Sequence, residues 1–179
     1  GRKIKYASWT WNWKVNGMIK HTEEKIFEFL DKELSNKGIK VYRGFLPQKS
    51  FEDRENGNYK ENFPYVTLRI VEFKQERAGI DYYDSPVEFE IWVATKENGE
   101  NDYLENLSLA NEIMEKLLEE TTRPVKDKLL NIDNQGSGFV IDQTKEFKVS
   151  FHSDQYRPYF FSRILFSVYG EAISSVYTN

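Results

Sequence analysis

The chain contains no cysteine, which excludes a disulfide framework, a thiolate zinc site and a cysteine nucleophile. Its only histidines are His21 and His152, too few for a histidine-based metal centre. No apolar run approaches the roughly 18–20 residues of a membrane-spanning helix. The first residues also lack the apolar stretch of a secretory signal. These absences point to a soluble protein made inside the cell. The phosphate loop GxxxxGK[ST], the dinucleotide fingerprint GxGxxG, the metalloprotease HExxH and the nucleophile turn GxSxG are all missing. His21 at a helix start and His152 after a strand therefore read as solvated residues rather than catalysts.

What is present suits one globular domain. The 179 residues are 39% hydrophobic, 16% aromatic and 30% charged, and disordered chains are poor in aromatics. A chain of this length buries roughly 70% of its unfolded surface, enough for a core without metal or disulfide. The net charge is −4, but the two parts differ. Residues 1–17 hold Arg2, Lys3, Lys5 and Lys14 and no acid, so the remainder sums to −8. An acidic body is a poor partner for nucleic acid, whose nonspecific binding runs on lysine and arginine contacts to phosphate.

The beginning, GRKIKYASWTWNWKVNG, alternates Trp9, Trp11 and Trp13 with Thr10 and Asn12. Side chains at period two share one face of a strand. Three readings stay open for residues 1–17. They are a leader ahead of a natural start at Met18, introduced by cloning or from an upstream frame; an arm that adds a strand to a neighbouring subunit; or an extra edge strand of the same domain. Residues 18–179 then form a single domain.

Residues 22–37 read as a helix. Thr22 is its N-cap, Glu23 and Glu24 suit its positive end, and Ile26, Phe27, Leu30 and Leu34 form its apolar stripe. Gly38 is placed to stop it. A strand follows over 39–46. The polar stretch 48–63 exceeds the length of a routine loop. Residues 65–73 and 87–95 read as strands joined by a hairpin-length connection, hence antiparallel. In the second, Val87, Phe89, Ile91 and Val93 face one way and Glu88, Glu90 and Trp92 the other, one face buried and one wet. A second helix spans 102–121, with Tyr103, Leu107, Ala110, Met114, Leu117 and Leu118 as its expected buried face. Residues 125–133 are ambiguous and 134–138 read as flexible. Phe147, Val149 and Phe151 alternate within 139–151, as do Ile164, Phe166 and Val168 within 159–169. Strands grouped in hairpins with helices between them argue an α+β fold. The expectation is a mostly antiparallel sheet of four to five strands with two main helices on one face.

Carboxylate pairs offer the one enzymatic alternative. Glu88 and Glu90 share a strand face, and Asp81, Asp84 and the acids of 52–55 lie in loops. A small metal-dependent hydrolase could use such groups. A solvated face or subunit contact explains them more simply, and none has EF-hand spacing. Trp92 is more informative, because a large aromatic on a polar strand face often marks a protein interface. The aromatics of 156–169 have only Arg157 and Arg163 beside them, short of the cationic groove of a base-stacking surface.

The order of elements and certain residues resemble a family. FPYVTLRIV at 63–71, SPVEFEIWVAT at 85–95, the polar turn KENGEN and Asp102-Tyr103 opening a leucine-rich helix are similar to tail-terminator proteins of long-tailed bacteriophages. These are also called tail completion or head–tail joining proteins. The aromatic strand from Phe166 to Gly170 fits as well, and the resemblance covers residues 22–170. It implies a non-enzymatic assembly protein without cofactor or metal. Such proteins form a ring, commonly of six subunits, that caps the tail tube, ends its polymerisation and presents a surface to the head connector. The implied partners are the chain itself, the tube protein and the connector or head-completion protein, with DNA passing an acidic lumen unbound and no membrane involved. The implied location is the virion neck, after assembly in the bacterial cytoplasm. Another neck component or a tail-like bacteriocin part is the neighbouring reading. Trp92, Glu88 and Glu90 are the candidate interface residues on the strand. Phe51, Arg54 and Tyr59 join them from the 48–63 loop, and Tyr82 and Tyr83 from the 74–86 connection.

Overall fold

The computed structural model describes residues 7–46, 63–74, 76–77, 82–84, 86–97, 102–122, 140–142, 144–155, 157–169 and 173–174. Helix α1 spans Ala7–Ser35 and α2 spans Asp102–Thr122. The strands are β1 (Lys40–Arg43), β2 (Tyr65–Phe73), β3 (Glu76–Arg77), β4 (Tyr82–Asp84), β5 (Pro86–Lys96), β6 (Val140–Ile141), β7 (Lys148–Phe151), β8 (Tyr159–Tyr169) and β9 (Ile173–Ser174).

The main sheet runs β1-β2-β5-β8, with β6 and β7 sharing the far side of β8, so its strands fill five positions. Every pairing is antiparallel except β1 with β2. The fold is therefore α+β with a mixed, mostly antiparallel sheet. A parallel neighbour needs a crossover of about a dozen residues or more, and residues 44–64 supply the length. The 74–86 connection is more than a plain hairpin, because β3, β4 and β9 form a small second sheet there.

The core lies between the main sheet and the two helices. Val66 and Leu68 of β2, Val87, Phe89, Ile91 and Val93 of β5, and Ile164, Phe166 and Val168 of β8 are all fully buried. They stand opposite one another across the strands, Leu68 beside Ile91 beside Ile164. Phe89 and Phe166 stack at 5.6 Å. From α1 come Ile26, Phe29, Leu30 and Leu34, and from α2 come Leu109, Ala110, Ile113 and Leu117. Glu33 of α1 pairs with Lys116 of α2 at 3.7 Å, and Lys37, just past the end of α1, pairs with Glu112 of α2 at 2.5 Å.

Gly38 ends α1 as its position suggests. It takes φ +72°, its N–H donates to Ser35 O at 2.9 Å, and the N–H of Ile39 donates to Leu34 O at 3.1 Å. This double closure with a left-handed residue is the Schellman stop.

Three expectations change. The tryptophan stretch is helical rather than extended, since α1 begins at Ala7. Period-two spacing over five residues is too short to decide, because Trp9 and Trp13 also stand at helical spacing. Thr22 accordingly lies within the helix and is not its cap. Glu23 instead pairs with Arg43 of β1, through Nε at 3.0 Å and a second contact from Nη2. Helix α2 buries Ala110 and Leu117 as expected, but its inward face is shifted at the start of the helix. Asn106 and Ile113 point inward, whereas Tyr103 and Leu107 are exposed. The 48–62 loop, the ambiguous 125–133 segment and 134–138 lie outside the described residues.

Candidate interaction surface

Both described helices lie on one face of the sheet. The second face carries three bands, laid out by strand register.

The middle band centres on Glu90. It sits between Arg69 of β2 and Leu165 of β8 in the register, with Arg163 one row away. Arg163 Nε donates to Glu90 Oε2 at 2.6 Å, and Arg69 Nη2 donates to Oε1. Only 2% of Glu90 is exposed, although neither helix among the described residues lies on this face. The flanking arginines, themselves part-exposed, and Trp92 shelter it. Burial pushes its carboxyl up, but hydrogen bonds from Arg163, Trp92 and Arg69 outweigh that and hold it below the ordinary value. Two guanidinium groups meet one carboxylate, so the cluster keeps a positive charge. Arg69 also lies over the exposed ring of Phe45 at 5.1 Å.

One end of the face is an aromatic band with lysines. Tyr42 meets Tyr65 edge-on at 5.9 Å, Phe63 tilts against Tyr65 at 5.0 Å and stacks on Tyr159 at 5.0 Å. Lys40 and Lys96 lie over Tyr42 and Tyr159. These rings pack on each other, so much of their π-surface is already used. The other end is a shallow groove of about 100 Å³ lined by Glu72, Phe73, Lys74, Pro86, Glu88, Lys145 and Ser167.

On the helix side, α2 is fixed by Asn106. Its Nδ2 donates to Val93 O at 3.2 Å, Thr95 Oγ1 at 3.1 Å and Phe160 O at 3.1 Å. Two of these acceptors are carbonyls, which settles which end of the amide faces them. Its Oδ1 has no hydrogen-bond partner among the described residues.

The sequence-predicted residues separate accordingly. Trp92, Glu88 and Glu90 share the helix-free face. Glu90 is not on a wet surface as strict alternation implied; it is the buried hub of an ion cluster. Glu88 is half-buried at the groove and Trp92 half-buried beside Arg163. Tyr82 and Tyr83 belong to β4, paired with Ser174 and Ile173, away from the main sheet's ladder. Phe51, Arg54 and Tyr59 lie outside the described residues. Sequence reasoning missed Arg69 and Arg163 as partners of Glu90. A basic residue at the polar position of each flanking strand was the available signal. It also missed Asn106, the sole polar side chain on the inward stripe between Tyr103 and Leu109.

No group of acids and histidines suited to a metal ion occurs among the described residues. No helix among them is long and apolar enough to cross a membrane. The geometry is that of an α+β domain with one helix-covered face and one face of sheltered charge and aromatic rings. A scan against family models matches none, and no curated protein matches the chain.

Proposed function

We propose that the protein is a structural assembly component of the tail-terminator kind, acting by docking rather than catalysis. In this reading several copies form a ring on the end of a phage tail tube, stop its growth and offer the head connector a seat. The observation that carries it is the amphipathic sheet, with helices on one face and Trp92 and an arginine-rich cluster on the other. Such a face supports docking against another surface. The element order, a helix, strands, a second helix and further strands, supports it, because the resemblance rests on a helix–strands–helix–strands order. The acid excess of residues 18–179 supports a lumen through which DNA slides, since like charges form no phosphate contacts. Residence in the virion neck after cytoplasmic assembly belongs to the same proposal.

The test is electron microscopy of particles assembled without this protein. Overlong or headless tails are expected. Tails of normal length joined to heads would reject the reading.

A further inference from the structure

The start of α2 rests on polar groups, unlike the rest of its inward face. Asn106 and Ser162 of β8 are fully buried, and Thr95 of β5 is buried almost as deeply. Further along α2, Ile113 and Leu117 sit in the hydrophobic core. The Asn106 amide nitrogen serves Val93 O, Thr95 Oγ1 and Phe160 O, which turns Oδ1 away from those acceptors. Neither Oδ1 nor Ser162 Oγ has a hydrogen-bond partner among the described residues.

The register places both orphaned atoms in one small compartment. Val93 stands opposite Ser162, and Thr95 opposite Phe160. Thr95 shares a strand face with Ile91 and Val93, and Ser162 shares one with Ile164 and Phe166, so both hydroxyls are on the side that α2 covers. Side chains directly opposite each other are about 4.5–5.5 Å apart at Cβ. The Asn106 amide comes down between the two rows and bonds to one carbonyl from each, Val93 O and Phe160 O.

The needs of these groups are complementary to a single small molecule. Oδ1 only accepts, and the Ser162 hydroxyl both gives and takes. Thr95 Oγ1 spends a lone pair on Asn106 and keeps a proton to donate. An unmade hydrogen bond in a dry interior is costly, and buried waters typically make about three bonds to such groups. All three groups are neutral, which matches water rather than an ion.

We propose that one ordered water is bound between Asn106 Oδ1, Ser162 Oγ and Thr95 Oγ1. It donates to the amide oxygen and accepts from a hydroxyl. Ser162 is the smallest residue in the inward series Ser162, Ile164, Phe166 and Val168 of β8, and its size makes the room for a water, roughly 30 Å³. The water completes the anchor of α2, joining the helix to the strands through solvent as well as directly. The proposal stands apart from the ring reading and does not depend on it.

The test is a high-resolution crystal structure of the full chain. A spherical density peak is expected within about 3.2 Å of both Asn106 Oδ1 and Ser162 Oγ. No peak there, or Ser162 Oγ turned directly onto Oδ1, would overturn the proposal. Asn106→Leu, of similar size, should keep the far-UV spectrum and lose the peak; a peak that stays would mean the hydroxyls alone hold it, and the bridge would be wrong. If that variant does not fold, Ser162→Ala takes its place. Its peak should fall to half occupancy or less, and a peak above half would remove Ser162 from the site and overturn the bridge as well.

Discussion

The two faces of the main sheet solve the same problem differently. Under the helices, Leu68, Ile91 and Ile164 lie in a row and exclude water by fit alone. On the other face, the neighbouring row sets Arg69, Glu90 and Leu165 side by side. Its carboxylate is buried as deeply as a core leucine, yet its guanidinium partners reach solvent. The first face draws its stability from area removed from water, roughly 25 cal/mol per Å². The second depends on mutual satisfaction, where removing one member strands another. The lesson is that a strand face away from both described helices can still bury a charge, provided its neighbours bring matching ones.

This contrast can be broken at several points. Phe166→Ala should cost about 4 kcal/mol, since it empties the stack with Phe89; urea unfolding measures it, and a loss near zero would mean the faces are misassigned. Asn106→Ala should cost about 2 kcal/mol, because the hydrogen bonds of a buried amide to Val93, Thr95 and Phe160 are lost. The fall in urea midpoint should come without loss of helix signal. Arg163→Ala should cost somewhat less, about 1–2 kcal/mol, because its partly exposed guanidinium is screened and Arg69 still holds Glu90.

The same cluster sets a pH dependence. Glu90 is held below its unfolded value. Its contribution is therefore complete above the ordinary carboxylate range and lost as pH falls through the depressed folded value. Subtracting the stability curve of Glu90→Gln from that of the parent should show a gap that narrows with acid; a constant gap would contradict the cluster. Smallest of all, Arg43→Ala should change stability by under about 1 kcal/mol, since the Arg43 end of its pair with Glu23 is 44% exposed and screened.

Much of the helix-covered face was legible in the sequence. The alternation of β5 and β8 names the buried residues, and Gly38 marks where α1 stops. The helix-free face was legible only in part. Alternation separates Glu90 from Ile91, but it does not show that Arg69 and Arg163 converge on one carboxylate, because register between distant strands is a tertiary outcome. The parallel pairing of β1 escaped for the same reason. The face of α2 was misjudged because hydrophobicity alone prefers Tyr103 and Leu107 inward. The polar Asn106 turns inward instead, donating to the carbonyls of Val93 and Phe160.

That amide has a consequence for the helix as a whole. A cylinder packed by grease alone can roll a little about its axis, as leucine substitutes for leucine. A side chain pinned to the main chain of two strands removes that freedom. α2 is locked in phase, and whatever Leu104 and Leu107 display to the outside is held at a constant bearing rather than drifting with thermal motion.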